Sequence, residues 1–183
     1  MELIEKTLSE KEIFNGRIIR FHVDSIELAD GSKGLREVAE HPGGVCIAAV
    51  TKDLELLFVR QYRYPMHEVC LELPAGKLEK GEDPLLAAKR ELLEETGCTG
   101  RDFCFMGNMY PTPGFCSEID RLFFCHVDRE GAELNLDADE FIETERIPYK
   151  EAVKMVMENK IPDAKTQLLI LKAAKIIESE SQN

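Results

Sequence analysis

The chain has 183 residues, 44% of them hydrophobic and 32% charged, and its 35 acidic side chains outnumber 23 basic ones for a formal charge of −12. This length and apolar content suit one core-forming domain with at most a small appended subdomain, and the acidity, without any basic patch, excludes nucleic acid as a general partner. There is no apolar run long enough to cross a bilayer and no apolar signal segment in the opening MELIEKTLSEKE, which predicts a cytoplasmic protein that does not engage a membrane.

From the N-terminus, Ile18, Ile19, Phe21, Val23, Ile26 and Leu28 stand in partly alternating order, and Asp30-Gly31 is a hairpin turn signal, so the first forty or so residues read as strands. A returning segment covers residues 35–41. His41-Pro42-Gly43-Gly44 then interrupts the pattern. Two apolar runs, 45–51 and 56–62, read as buried strands joined at Lys52-Asp53. The interruption sets the expected boundary between an N-terminal β-subdomain, 1–42, and a larger second domain, 43–183.

Residues 76–98 read GKLEKGEDPLLAAKRELLEETGC. Gly76 is followed after five residues by Glu82, after seven more by Arg90-Glu91-Leu92, then by Glu94-Glu95 and by Gly97-Cys98. At ordinary residue usage, these identities match at a given start by chance on the order of once in 10⁸ to 10⁹. Asp83 and Pro84 form a helix start, because an Asp side chain caps orphan N–H groups and Pro fits the first helical position. Gly97 supplies the left-handed stop, so a helix is predicted over 84–96. Within it Glu91, Glu94 and Glu95 project from one face, and Leu85, Ala88 and Leu92 form the apolar stripe opposite.

Like charges at that spacing oppose an isolated helix, and bound divalent cations reverse the penalty. Hard oxygen ligands favour Mg²⁺ or Mn²⁺ over Zn²⁺. Glu82, just before the helix, can reach Arg90 and fix its orientation, and Gly76 lets the incoming backbone approach the carboxylates.

Strands are predicted at 103–109 and 121–127. The acidic stretch LNLDADEFIETERI, carrying Asp137, Asp139, Glu140 and Glu143, reads as a loop running into a strand. Two helices close the chain, 149–158 and about 164–177, the second started by Pro162-Asp163 and carrying Leu168, Leu171, Ala174 and Lys175 at helical spacing. Six cysteines (Cys46, Cys70, Cys98, Cys104, Cys116, Cys125) include no CxxC pair, which predicts buried, reduced thiols. His22, His41, His67 and His126 lack zinc-ligand spacing, so none is expected to bind metal.

The 76–98 spacing has every defined position of the Nudix box, and over nearly the whole chain the flanks resemble the ADP-ribose pyrophosphatase branch of the Nudix hydrolases. Upstream, Arg36-Glu37-Val38-Ala39-Glu40-His41-Pro42-Gly43-Gly44-Val45, Val59-Arg60-Gln61-Tyr62-Arg63-Tyr64-Pro65 and Leu71-Glu72-Leu73-Pro74-Ala75-Gly76-Lys77 are similar to that branch. Downstream, Pro111-Thr112-Pro113-Gly114-Phe115 and Asp163-Ala164-Lys165-Thr166 are similar to it. The resemblance implies an α+β fold, an α/β/α sandwich preceded by a small β-subdomain that serves a homodimer. It implies a Mg²⁺-dependent pyrophosphatase acting on ADP-ribose, with two or three Mg²⁺ (Mn²⁺ possible) per site.

The resemblance also carries roles residue by residue. Glu91 and Glu95 match metal ligands, with Glu94 beside them and the Ala75 carbonyl as a further ligand. Glu82 and Arg90 match a supporting catalytic pair, and Arg36 and Arg63 match substrate-contacting arginines. Glu140 lies where the branch keeps a general base, with Glu143 and Asp139 as alternatives. Some members stack the adenine on tryptophan; this chain has none, which leaves Phe21 or Tyr64 for the base and keeps another nucleoside diphosphate sugar or a dinucleotide open as substrate.

Overall fold

The computed structural model describes residues 3–132, 135–136 and 141–181. Backbone contacts divide the chain into two units, Met1–Gly43 with Tyr110–Ile119, and Gly44–Met109 with Asp120–Asn183.

The first unit is an antiparallel sheet of β1 (Lys6–Asn15), β2 (Arg20–Glu27) and β3 (Lys33–Glu40), in the order β1-β2-β3. The β2–β3 turn forms where the sequence predicts it. Asp30 Oδ1 accepts from the Ser32 backbone N–H and hydroxyl at 2.9 and 2.6 Å, and Gly31 takes φ +83°, a conformation open to a residue without Cβ. Along β2 the alternate residues His22, Asp24 and Ile26 are buried, whereas β1 is exposed along its length. Ala39 of β3 receives the segment from the second crossing of the chain: its N–H donates to Phe115 O at 2.7 Å and its carbonyl accepts from Ser117 N at 3.0 Å.

The second unit has a mixed sheet of β4 (Gly44–Val50), β5 (Glu55–Arg63), β6 (Glu68–Glu72), β7 (Ala75–Lys77), β8 (Thr99–Met109), β9 (Asp120–Arg129) and β10 (Glu143–Pro148). Its path is β10-β5-β4-β9-β8, with β6 on β5 and β7 on β4. β4 and β9 run parallel, and β4 is buried throughout, the continuous apolar signature of a strand covered on both faces.

Alternation along β4 sorts the core into two. Val45, Ile47 and Ala49 pack with Ala87, Ala88 and Leu92 of α1 (Pro84–Thr96). Cys46, Ala48 and Val50 pack on the opposite face with α2 (Tyr149–Met157) and α3 (Ala164–Glu180). The unit is therefore a helix–sheet–helix sandwich, and the whole is the expected α+β architecture.

Three details differ from the sequence reading. β6 and β7 have no separate counterpart in it, because one begins with exposed residues and the other is three residues long. The buried face of α3 is Thr166, Leu169, Ile170, Ala173, Ala174 and Ile177, with Leu171 exposed; the four-residue apolar run 168–171 supports more than one helical face, and packing on β4 selects among them. Of the six free cysteines Cys46, Cys70, Cys98 and Cys125 are buried, but Cys104 is exposed and Cys116 half-buried. Among the described residues no helix is long and apolar enough to cross a membrane.

Leu92 is fully buried where α1 meets β4. Leu92→Ala is expected to lower the unfolding free energy by about 2–5 kcal/mol through lost burial and a residual cavity, as measured by urea denaturation.

Candidate active site

The site is assembled from a three-residue strand and one helix. β7 lies antiparallel to the start of β4, with Cys46 opposite Ala75, Val45 opposite Gly76 and Gly44 opposite Lys77. The chain then turns through residues 78–83 into α1. Asp83 caps the helix by accepting from Leu85 and Leu86 N–H at 3.0 and 3.1 Å, with Pro84 in the first turn. Gly97 ends it at φ +65° while its N–H donates to Leu93 O at 2.9 Å. These boundaries match the sequence expectation.

Arg90 is the centre of the arrangement. Its Nε and Nη2 reach the two oxygens of Glu82 at 2.9 and 3.0 Å, and its Nη1 reaches Glu91 at 2.8 Å and Glu94 at 2.9 Å. Nη2 also donates to Lys77 O at 3.3 Å. A guanidinium fork is suited to this, since its donors lie in one plane at fixed angles. The Arg90 hydrogen bonds hold the Glu82 carboxyl below the usual range, against a smaller opposing effect of desolvation. Glu82 also accepts from Glu79 N at 3.0 Å, closing the loop before the helix.

Glu95 is buried and accepts from the Ala75 N–H at 3.0 Å. Glu91 lies against Gly76: a Cβ there would stand 1.9 Å from the Glu91 carboxyl carbon and 2.0 and 2.2 Å from its oxygens. Only glycine admits that approach. Three carboxylates (Glu82, Glu91, Glu94) thus gather around one guanidinium, a formal excess of two negative charges, and Glu95 adds a fourth carboxylate at β7. The donors at β7 and α1 are all oxygens, carboxylate and carbonyl, the set that suits a hard divalent cation. Glu91, Glu94, Glu95 and the Ala75 carbonyl are the groups able to hold one, and the cleared space at Gly76 fits that use.

A second charged cluster in the same unit was not anticipated. Glu72, fully buried at the end of β6, accepts from Arg63 Nε and Nη2 at 2.6 and 2.7 Å and from Lys165 Nζ at 2.6 Å. Lys165 also reaches Asp163 at 2.9 Å, and Asp163 caps α3 by accepting from Thr166 N at 3.0 Å. The Thr166 hydroxyl in turn accepts from Leu73 N–H at 3.0 Å. Burial alone would raise the Glu72 pKa, but the Arg63 hydrogen bonds and the charges of Lys165 and Arg63 outweigh it and bring the value down to about 2. The signal available in the sequence is a glutamate between Leu71 and Leu73 in an apolar run; its partners cannot be read locally.

The remaining expected residues are dispersed. Arg63 is committed to Glu72, while Tyr64 is largely exposed in a short 3₁₀ turn (Tyr64–Met66), edge-on to His67 at 5.3 Å. Phe21 and Arg36 lie in the other unit, Phe21 half-buried in β2 and Arg36 on β3 paired with Glu5. Glu140, Asp137 and Asp139 lie outside the described residues, and Glu143 begins β10 in an exposed position.

A NUDIX domain model matches residues 40–169, and a nucleoside diphosphate sugar hydrolase N-terminal domain model matches residues 5–39. The chain belongs to the Nudix hydrolase family. It is 41% identical over 171 residues to an ADP-ribose pyrophosphatase of Bacillus subtilis (strain 168), covering 92% of this chain and 91% of that one. It is 38% identical over 167 residues to a methanol dehydrogenase activator of Bacillus methanolicus, covering 91% and 90%. Its fold matches a solved ADP compounds hydrolase with a TM-score of 0.83 at 19% identity, covering 98% and 97%.

Gly76→Ala is expected to leave the unfolding free energy nearly unchanged, since the atoms that must give way end a flexible side chain. It should weaken divalent-cation binding at least tenfold by displacing Glu91, as calorimetric titration with Mn²⁺ would record. For Glu72, a folded pKa depressed to about 2 from 4.5 contributes stability that is present above the unfolded value and lost as pH falls through the folded one. The contribution at neutral pH is on the order of 3 kcal/mol. Acid unfolding of Glu72→Gln should therefore be shallower between about pH 5 and pH 2 than that of the unaltered protein, starting from a lower neutral-pH stability.

Proposed function

We propose that the protein hydrolyses the diphosphate of ADP-ribose, giving AMP and ribose 5-phosphate. The observation that carries this reading is the Arg90-centred carboxylate group with Glu91 held against Gly76. The relative at 41% identity across both units, named as an ADP-ribose pyrophosphatase, supports the same substrate.

Glu91, Glu94, Glu95 and the Ala75 carbonyl would hold the cations, two or three Mg²⁺ with Mn²⁺ as a substitute, which when bound would supply charge neutralisation for the diphosphate and a lowered pKa for the attacking water. Arg90, locked by both oxygens of Glu82, orients Glu91 and Glu94, and it keeps the like charges together before any cation arrives. The Ala75 N–H fixes Glu95. Glu140 in the acidic loop takes the proton of the attacking water, with Glu143 and Asp139 as the alternatives. Arg36 and Arg63 bind phosphate or ribose oxygens, and Phe21 or Tyr64 stacks on the base.

The division into an N-terminal β-subdomain, 1–42, and a catalytic domain, 43–183, belongs to the same reading, as do a homodimer and a cytoplasmic location. Exposed apolar side chains along the outer strand β1, Leu8, Ile13 and Phe14, support a self-association surface there. A second substrate class, another nucleoside diphosphate sugar or a dinucleotide, is kept by the absence of tryptophan for base stacking.

The test is a Mg²⁺-dependent assay with product identification on ADP-ribose, other ADP-sugars, GDP-mannose and NADH. ADP-ribose is expected to give the highest kcat/KM, with AMP and ribose 5-phosphate as products; preference for a non-adenine substrate would overturn the assignment. Glu91→Gln and Glu95→Gln should each lower kcat at least 100-fold at saturating Mg²⁺, since a lost ligand costs several kcal/mol and each 1.36 kcal/mol is tenfold. Retained turnover in either would remove that residue from the cation site.

A further inference from the structure

The N-terminal sheet carries a polar cluster on a face that should be apolar. Strand alternation places Arg20, His22, Asp24 and Ile26 of β2 on one side, and His22 and Asp24 are buried there. Pairing register sets Glu10 of β1 opposite Asp24, Glu12 opposite His22 and Glu40 of β3 opposite Arg20. Two carboxylates directly opposite on one face of a sheet repel. Arg20 answers part of this charge by pairing with Glu10, Glu12 and Glu40, and Asp24, the fourth carboxylate of the cluster, pairs instead with His22.

His22 stands in the middle. Its Nδ1 is 2.7 Å from Asp24 Oδ1 and 3.9 Å from Glu10. Its Nε2 is buried with no hydrogen-bond partner among the described residues, and a carboxylate oxygen of Glu40 stands 3.6 Å from it. Nδ1, 2.7 Å from a carboxylate oxygen, is spent on Asp24, and Nε2 is left facing an acceptor beyond hydrogen-bond reach. A buried orphan of that kind is costly.

We propose that Glu10, His22 and Asp24 form a divalent-cation site, separate in residues and in ligand chemistry from the oxygen-only box, that takes a first-row transition ion of the Zn²⁺ class. The ligand atoms, one from each residue, all lie within 4.8 Å of one another. Ligands on Zn²⁺ sit about 2.0–2.2 Å from the ion and so roughly 3–3.5 Å apart; the exposed side chain of Glu10 closes in from 3.9 Å, and a turn of the Asp24 carboxylate opens its 2.7 Å approach to Nδ1. One imidazole with two carboxylates suits Zn²⁺, Mn²⁺ or Co²⁺ better than Mg²⁺, which prefers oxygen and keeps its waters.

The same step resolves the orphan. With the ion on Nδ1, the remaining imidazole proton sits on Nε2 and points at Glu40, the arrangement in which a ligating histidine donates its other N–H to a carboxylate. The ion also offsets the repulsion between Glu10 and Asp24. The sequence reading that no histidine binds metal rested on spacing between histidines, and this site uses only one.

The test uses full-length protein carrying Glu91→Gln and Glu95→Gln, which weakens the box as a competing site. Equilibrium dialysis with Zn²⁺ is expected to retain one ion per chain and to raise Tm, and Co²⁺ should give visible absorption bands of a bound ion. Adding His22→Gln should weaken Zn²⁺ at least tenfold and abolish the Co²⁺ bands. Glu10→Gln, at an exposed position where folding is not at risk, should also weaken Zn²⁺ and decides the matter if the His22 variant does not fold. No retained Zn²⁺, or retention unaffected by Glu10→Gln, would overturn the proposal.

Discussion

The arrangement depends on a single constraint, that like-charged glutamates on one helix face must be held close together. Arg90 meets it for two of them by spreading its guanidinium over Glu82, Glu91 and Glu94, and the Ala75 N–H holds the third, Glu95. Glu82 contributes from outside the helix and takes two of the five donors, so Arg90 is oriented by a carboxylate that α1 does not carry. Partly exposed ion pairs are individually weak, and the value of this one is geometric: it sets where two neighbouring carboxylates point. Gly76 completes the constraint, because any larger residue would occupy the volume of the Glu91 carboxylate.

The other wall of the site is fixed by a separate network. Leu73 is tied to Thr166 of α3, and Ala75, two residues on, is tied to Glu95 of α1. The short segment from β6 to β7 is thereby held from the two helices that cover opposite faces of the sheet. Glu72 anchors it with a buried carboxylate shared by Arg63 and Lys165. A carboxylate so deep is tolerable only when paired and fully hydrogen-bonded, and here two cations and Asp163 make the group neutral overall. The Ala75 carbonyl, proposed as a cation ligand, gains its fixed position from contacts on both sides of it.

The box helix was legible in the sequence because its signals are local. Asp83-Pro84 starts it, Gly97 stops it, and the carboxylate spacing follows from 3.6 residues per turn. The buried strands β4 and β5 were legible as apolar runs between turn residues. β7 was not, since a strand of three residues exists only because β4 offers it an edge. The Glu72 network was not legible either, because its lysine lies 93 residues away and only folding brings the two together. The buried set on α3 shows a similar limit: a run of four apolar residues specifies a helix without specifying which side of it meets the sheet.

The same distinction separates chemistry from selectivity. Every polar group gathered at β7 and α1 is an oxygen acceptor or an orienting donor, and none can distinguish one nucleoside from another. Recognition of a base needs an aromatic face or directed hydrogen bonds, and recognition of phosphate oxygens is served well by a guanidinium fork. Arg63, proposed above to contact substrate, shows how such a group can be prepared: both its bonds to Glu72 fix the plane of the guanidinium while its side chain stays 40% exposed, which lowers the entropic cost of any further contact. Selectivity within a chain of this kind can therefore change by substitution on the flanking strands, while the carboxylate group and the reaction it serves stay as they are.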